Sequence, residues 1–175
     1  MIYITGDCHG NFERFNSSIF PEQNEMTKED YVIICGDFGG VWHRDEESKE
    51  ETMVLDWLDS RPFTTLFVCG NHENFDRLYQ YPIEEWHGGK VHKIRPSVLH
   101  LMRGQVFEIA EKKIFSFGGA SSHDIQGGVL EPDDLDFEKK YATLSRGDLP
   151  FRINHWSWWK QELPSKEEME EGRQN

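Results

Sequence analysis

A chain of 175 residues, 37% hydrophobic and carrying 12 Phe and 6 Trp, is long enough to bury one sizeable core and reads as a single domain over 1–175. Its net charge of −13, from 32 acidic against 19 basic residues, excludes a basic surface of the kind that grips a nucleic-acid backbone. No apolar run approaches the ~20 residues of a membrane span, and Met1 leads straight into an apolar stretch without a basic start or a cleavage site, so a cytoplasmic protein is expected. Cys8, Cys35 and Cys69 lack C-x-x-C spacing, which points to small buried hydrophobes rather than a disulfide framework or a zinc knuckle.

In chain order, the first apolar run, Ile2 to Gly6, closes on Asp7-Cys8-His9. Asn11 then caps a helix expected through about Ile19, with Phe12, Phe15 and Ile19 on one face and Pro21 ending it. The second run, Tyr31 to Cys35, breaks into Gly36-Asp37 and a loop loosened by Gly39-Gly40. A charged helix from about Glu46 to Ser60 follows, with Val54, Leu55 and Leu58 inward. The third run, Thr65 to Cys69, breaks into Gly70-Asn71-His72-Glu73, and a short helix from Glu73 to Tyr79 opens from it. Three short β-branched and aromatic runs thus each end in a glycine or polar break carrying ligand-type residues. Buried parallel strands with crossovers between them fit that pattern, and the carboxyl ends of such strands line the crevice where open α/β sheets bind ligands.

Asp7, His9, Asp37, Asn71 and His72 should therefore converge. Carboxylate, amide and imidazole donors without thiolate suit Mn, Fe or Zn, and Asp37, on the central run, is placed to bridge two ions. Further on, Trp86 to His92 reads as a loop with two histidines, and Val98 to Met102, Gln105 to Ile109 and Lys113 to Phe117 read as an antiparallel meander forming a second sheet. Ser121-Ser122-His123-Asp124 cannot act as a triad, because sequential neighbours cannot orient as nucleophile, base and orienter. His123 and Asp124 are instead candidate pocket-lining groups. Pro132 to about Leu144 reads as an acidic helix, and Arg152 with His155 is the best candidate for a substrate phosphate contact in the second half. Trp156, Trp158 and Trp159 suggest packing, and Ser165 with Glu168 forms the capping box of a last helix.

Asp7-Cys8-His9, Gly36-Asp37-Phe38-Gly39-Gly40 and Gly70-Asn71-His72-Glu73, in this order, resemble the first three motifs of the calcineurin-like metallophosphoesterase superfamily. Phe117 to Asp124 and Ser157 to Pro164 look like later segments of a bacterial and phage branch, so the resemblance covers almost the whole chain. It implies an α/β fold, a mixed β sandwich flanked by helices, and hydrolysis of a phosphomonoester or phosphodiester at a dinuclear divalent-metal centre. By that resemblance Asp7 and His9 hold one ion, Asn71 holds the other, Asp37 bridges them, and His72 serves the leaving-group oxygen as general acid or electrostatic stabiliser.

The family's later histidine-bearing strand and its G-H-x-H have no counterpart by position, so the domain is expected to be C-terminally truncated, with about three of the usual seven ligands missing. Two further readings follow: a non-catalytic relative that binds metal weakly or acts through its surface, and a homo-oligomer in which His87, His92, His123 or His155 of another copy completes the site.

Overall fold

The computed structural model describes residues 1–175. The first two apolar runs form β1 (Ile2–Thr5) and β2 (Tyr31–Cys35), paired in parallel with Ile2 opposite Tyr31. Between them the chain makes only two 3-10 turns, Glu13–Phe15 and Pro21–Glu25, where a longer helix was expected. The buried Gln23 amide donates to the carbonyls of Phe15 (2.9 Å) and Phe20 (2.8 Å), so these acceptors need no continuing helix. Ile19, expected on the inner face, is exposed.

Helix α1 (Lys49–Asp59) starts later than expected, because Ser48 caps it in a reciprocal box with Glu51 and Leu55 and Leu58 are its buried residues. Strand β3 (Thr64–Val68) pairs in parallel with β2, and helix α2 (Phe75–Leu78) is a single turn capped by the Asn74 side chain. The chain over Trp86 to His92 is not a loop. It forms the turn of a hairpin between β4 (Ile83–Trp86) and β5 (Gly89–Arg95), with His87 and Gly88 in left-handed backbone at the bend.

Strand β6 (Val98–Leu101) corrects the meander. It joins the main sheet, parallel to β3 and antiparallel to β5, giving the order β1-β2-β3-β6-β5-β4. Only β7 (Gln105–Ile109) and β8 (Lys112–Ser116) make the separate antiparallel pair. Two short strands, β9 (Val129–Leu130) and β10 (Arg152–Ile153), pair in parallel around α3 (Phe137–Leu144), which begins five residues after Pro132. The chain closes with α4 (Lys166–Gln174), capped by Ser165 and Glu168 as the sequence suggests.

The sheet separates two apolar layers. One packs Phe12, Phe15, Phe38, Leu55, Phe63, Phe67 and Trp159 under α1 and the 3-10 turns. The other packs Ile33, Leu66, Leu99 and Leu101 against Phe107 and Ile109 of β7. This is a mixed α/β architecture with a multi-stranded sheet flanked by helices. At the end of the sheet away from the polar strand breaks, the Lys28 ammonium donates to the carbonyls of Asp59 (2.6 Å), Arg61 and Phe63 (3.2 Å) and to the Ser97 hydroxyl (2.7 Å). It fastens the end of α1, the start of β3 and the entry to β6 to one point. No helix is long and apolar enough to cross a membrane.

Candidate metal centre

Because β1, β2 and β3 are neighbours in register, the loops after them lie side by side. The amides of Cys8 and His9 both donate to the Asp37 carbonyl (3.0 and 2.8 Å), and Gly10 N–H donates to Phe38 O (2.9 Å). His9 and Asp37 adopt left-handed backbone, φ 48° and 40°, which non-glycine residues hold only when the surroundings over-determine it. The close approach requires glycine at 39, since a Cβ there would stand 2.6 Å from the Gly10 nitrogen.

Asp37 divides its carboxylate between two tasks. Oδ1 accepts from the amides of Asn71 (2.8 Å) and His72 (3.0 Å), fixing the third loop to the second. Oδ2 faces His9 Nε2 at 3.6 Å. The ligand-type atoms of His9, Asp37 and His72 lie within 4.8 Å of one another, and the two imidazoles meet edge to face with centroids 4.7 Å apart. Asp7 stands beside this group, Oδ2 at 3.9 Å from His9 Nε2 with a largely exposed side chain. Asn71 Nδ2 donates to the Ser122 hydroxyl (3.3 Å), and its Oδ1 takes no hydrogen bond within the protein. The donor set of nitrogen and carboxylate oxygen, with one Asp37 oxygen left over from the loop amides, fits a divalent ion of the Mn, Fe or Zn kind.

Three supporting residues were given no site role by the sequence, although Glu73 and Glu162 lie in the segments that carry the family resemblance. Glu73 is fully buried and accepts from the amides of Phe38 (2.7 Å) and Gly39 (3.2 Å); burial pushes its carboxyl up to about 8, against those hydrogen bonds. Trp42 stacks on the His72 ring at 5.7 Å, and its loop is held by Glu51, which accepts from the amides of Trp42 and His43 at 2.6 Å and from Arg77 at 2.7 Å. Glu162, also buried, accepts from the Ser122 amide (2.9 Å) and hydroxyl (2.6 Å) and so fixes the partner of Asn71. Burial holds the His72 imidazole below its usual range, opposed by the Asp37 carboxylate.

The remaining candidates have partners of their own. Arg152 is paired with Asp124, and His155 Nδ1 lies 2.7 Å from Asp76 Oδ2, which also accepts from Trp159 Nε1 at 2.7 Å. His123 is exposed. His92 is buried against His100, which keeps it from reaching another copy of the chain. Of the tryptophans, Trp159 is fully buried and Trp156 lies under the Arg44 guanidinium. Cys8 and Cys69 are buried, and burial raises their thiols to about 11 and about 12, whereas Cys35, expected inside, is exposed.

A sequence model described as calcineurin-like phosphoesterase matches residues 1–172. The chain belongs to that family. The family is generally dependent on divalent metal, and the His9, Asp37 and His72 group is a candidate site for one. Among curated proteins the chain is 26% identical over 143 residues to lariat debranching enzyme A of Xenopus laevis, covering 74% of this chain and 26% of that protein. It is 25% identical to lariat debranching enzyme of Danio rerio (74% and 24% covered) and 24% identical to that of Homo sapiens (74% and 25%). The chain spans about a quarter of the length of these relatives. No solved structure matches it.

In this family member Gly70 touches Asp37 so closely that an added Cβ would sit 1.9 Å from Oδ1. Gly70→Ala removes no functional group, yet it must displace the carboxylate that ties the third loop to the second. We expect it to weaken divalent-metal binding about 10- to 100-fold, the range seen when groups that orient ligands are lost. Calorimetric Mn titration checks this, and wild-type affinity in Gly70→Ala would refute it.

Proposed function

We propose that this chain is a divalent-metal-dependent hydrolase of phosphomonoesters or phosphodiesters. The observation that carries the reading is the meeting of His9, Asp37 and His72 at the ends of three adjacent parallel strands in a phosphoesterase-family chain. In this reading Asp7 and His9 would hold one ion, Asn71 through its unbonded Oδ1 would hold a second, and Asp37 would be shared by both. Manganese is the ion we propose. Bound ions of this kind lower the pKa of water and stabilise charge at phosphorus and on the attacking and leaving oxygens.

The protein's own part is positional and electrostatic. The hydrogen bonds from Asn71 and His72 to Asp37 fix the crevice before substrate arrives. His72, neutral at physiological pH because burial disfavours its imidazolium, offers a ring N–H to the leaving-group oxygen, with Trp42 stacked on its face to set its plane. His123, Asp124, Arg152 and His155 line the substrate side. Residues 1–175 act as one domain in this reading, and free cysteines at 8, 35 and 69 suit the reducing cytoplasm. The lariat-debranching activity that names the relatives is not carried over, since a net charge of −13 opposes an extended nucleic-acid substrate.

A second reading has one ion held by His9, Asp37 and His72 in a chain that binds a phosphate ester without cleaving it. It is favoured by Asp7, which stands outside that cluster. The deciding experiment is Mn-dependent hydrolysis of bis(4-nitrophenyl) phosphate together with metal stoichiometry. We expect two ions per chain and turnover abolished by a chelator; one ion and no turnover would overturn the hydrolase in favour of the binding protein.

A further inference from the structure

The side-chain amide of Asn71 has two ends that are alike in shape and opposite in chemistry. Its oxygen can ligate a metal ion and its NH2 cannot, so the donors and acceptors around the amide decide which of the two is left free. The bond from the Asn71 main-chain N–H to Asp37 Oδ1 (2.8 Å) fixes the loop but leaves the side chain able to turn over. Its remaining partner is Ser122. The segment before Ser122 is tied to the third loop, the Gly119 amide donating to the Cys69 carbonyl at 2.8 Å. Residues 161–163 close on the same segment: a Cβ at Gly119 would stand 2.7 Å from the Glu162 carbonyl oxygen, and Arg103 Nη2 donates to the carbonyls of Gln161 (2.8 Å) and Glu162 (3.2 Å). Ser122 and Glu162 are both buried there.

Polarity runs in one direction along this chain of bonds. A carboxylate only accepts, so Glu162 takes the Ser122 amide on Oε1 (2.9 Å) and the Ser122 hydroxyl proton on Oε2 (2.6 Å). A hydroxyl has one proton. With that proton given to Glu162, the Ser122 oxygen has only lone pairs to offer Asn71, and the end of the amide that turns to it is Nδ2, at 3.3 Å. Asn71 Oδ1 is left without a partner in the protein.

We propose that Glu162 is a positioning residue for the metal centre: through the Ser122 hydroxyl it sets the Asn71 amide with its oxygen, and not its NH2, free to ligate a divalent ion. This rests on the reading above, in which Asn71 is a ligand. It gives that reading a residue on the far, carboxyl-terminal segment whose acceptor character controls a ligand it does not touch.

The test is Glu162→Gln, which keeps the shape and reverses the polarity. One end of the new amide still accepts from the Ser122 N–H; the other donates to the Ser122 oxygen, sends the hydroxyl proton toward Asn71 and draws Oδ1 onto Ser122. In the metal-free protein, exchange of the Asn71 side-chain amide with water, followed by NMR, should show one Nδ2 proton protected in the wild type and that protection lost in Glu162→Gln. In calorimetric Mn titration the second ion should bind about 10- to 100-fold more weakly in Glu162→Gln, the scale of losing a group that orients a ligand, with the first ion unmoved. Adding Ser122→Ala removes the misdirected hydroxyl, so Glu162→Gln/Ser122→Ala should recover part of that affinity, whereas a merely structural Glu162 would make the double variant worse. Asn71 exchange unchanged in Glu162→Gln, or a double variant that binds the second ion no better than Glu162→Gln, would overturn the proposal. A wild type that binds a single ion fails the reading of Asn71 as a ligand, and the exchange measurement still decides what Glu162 does to the amide. Should Glu162→Gln not fold, Ser122→Ala alone is expected to lose the protection, and protection retained there would overturn the proposal equally.

Discussion

Asp37→Asn is expected to lower phosphoesterase turnover about 10³-fold, the scale of removing one preorganised electrostatic contact from a site of this kind, while leaving the fold in place. The asparagine Oδ1 can still accept from the amides of Asn71 and His72, so the loops stay tied. What disappears is the negative charge facing His9 Nε2 at 3.6 Å. Thermal unfolding of the metal-free variant should therefore match the wild type, while Mn binding and turnover fail. Asp37→Ala separates the two roles, because it also leaves two amides without an acceptor at about 1–3 kcal/mol each. Turnover at the wild-type rate in Asp37→Asn would remove this carboxylate from the centre.

The second large effect is a stability maximum of the metal-free protein near pH 6.5. His92 Nδ1 and His100 Nδ1 are 3.0 Å apart and both rings are buried, so burial holds His92 down to about 4 and His100 well below its ordinary 6.5. The unfolded chain binds protons at both rings before the folded chain does. Their stabilisation is complete above pH 6.5 and is lost as pH falls toward 4. Glu73 has the opposite sign. Its carboxyl is raised by burial from 4.5 to about 8, so its contribution is complete below 4.5 and is lost as pH rises to 8.

Between pH 4.5 and 6.5 the protons of His92 and His100, joined by that of His72, whose imidazole burial also holds low, oppose one Glu73 proton and stability rises with pH; between 6.5 and 8 Glu73 alone acts and stability falls. Denaturant unfolding across pH 4.5–8 measures this. His100→Phe, which keeps a flat ring on Phe67, should flatten the acid limb by one proton. An acid limb unchanged in that variant would show that the pair does not control it.

What the sequence showed of the fold and the site follows from how locally each feature is encoded. Strand runs such as Tyr31 to Cys35 and Thr65 to Cys69 announce themselves through an unbroken stretch of apolar and β-branched residues and the glycine that ends them. Register between parallel neighbours then brings Asp37 to His9 and His72 without any further information. The helix expected after Asn11 failed because the competitor, a buried Gln23 amide, lies beyond the window that a periodicity reads. Val98 to Met102 reads as part of the second sheet, yet Val98–Leu101 joins the main one, because an apolar run fits a central strand of either sheet. His100, within that run, is stacked between Phe67 and His92. Trp42 over His72, Glu162 under Ser122 and Asp124 against Arg152 join residues 28 to 40 positions apart, and no pattern in the chain marks such pairs before it folds.

The Lys28 ammonium has a mechanical consequence for the molecule as a whole. One cation bonded to three main-chain carbonyls and to Ser97 clamps the sheet at the amino ends of β3 and β6, as the rivet of a folding fan gathers its blades. With the base riveted, the opposite rim can be built from glycine-rich turns and strained left-handed residues without the blades drifting apart.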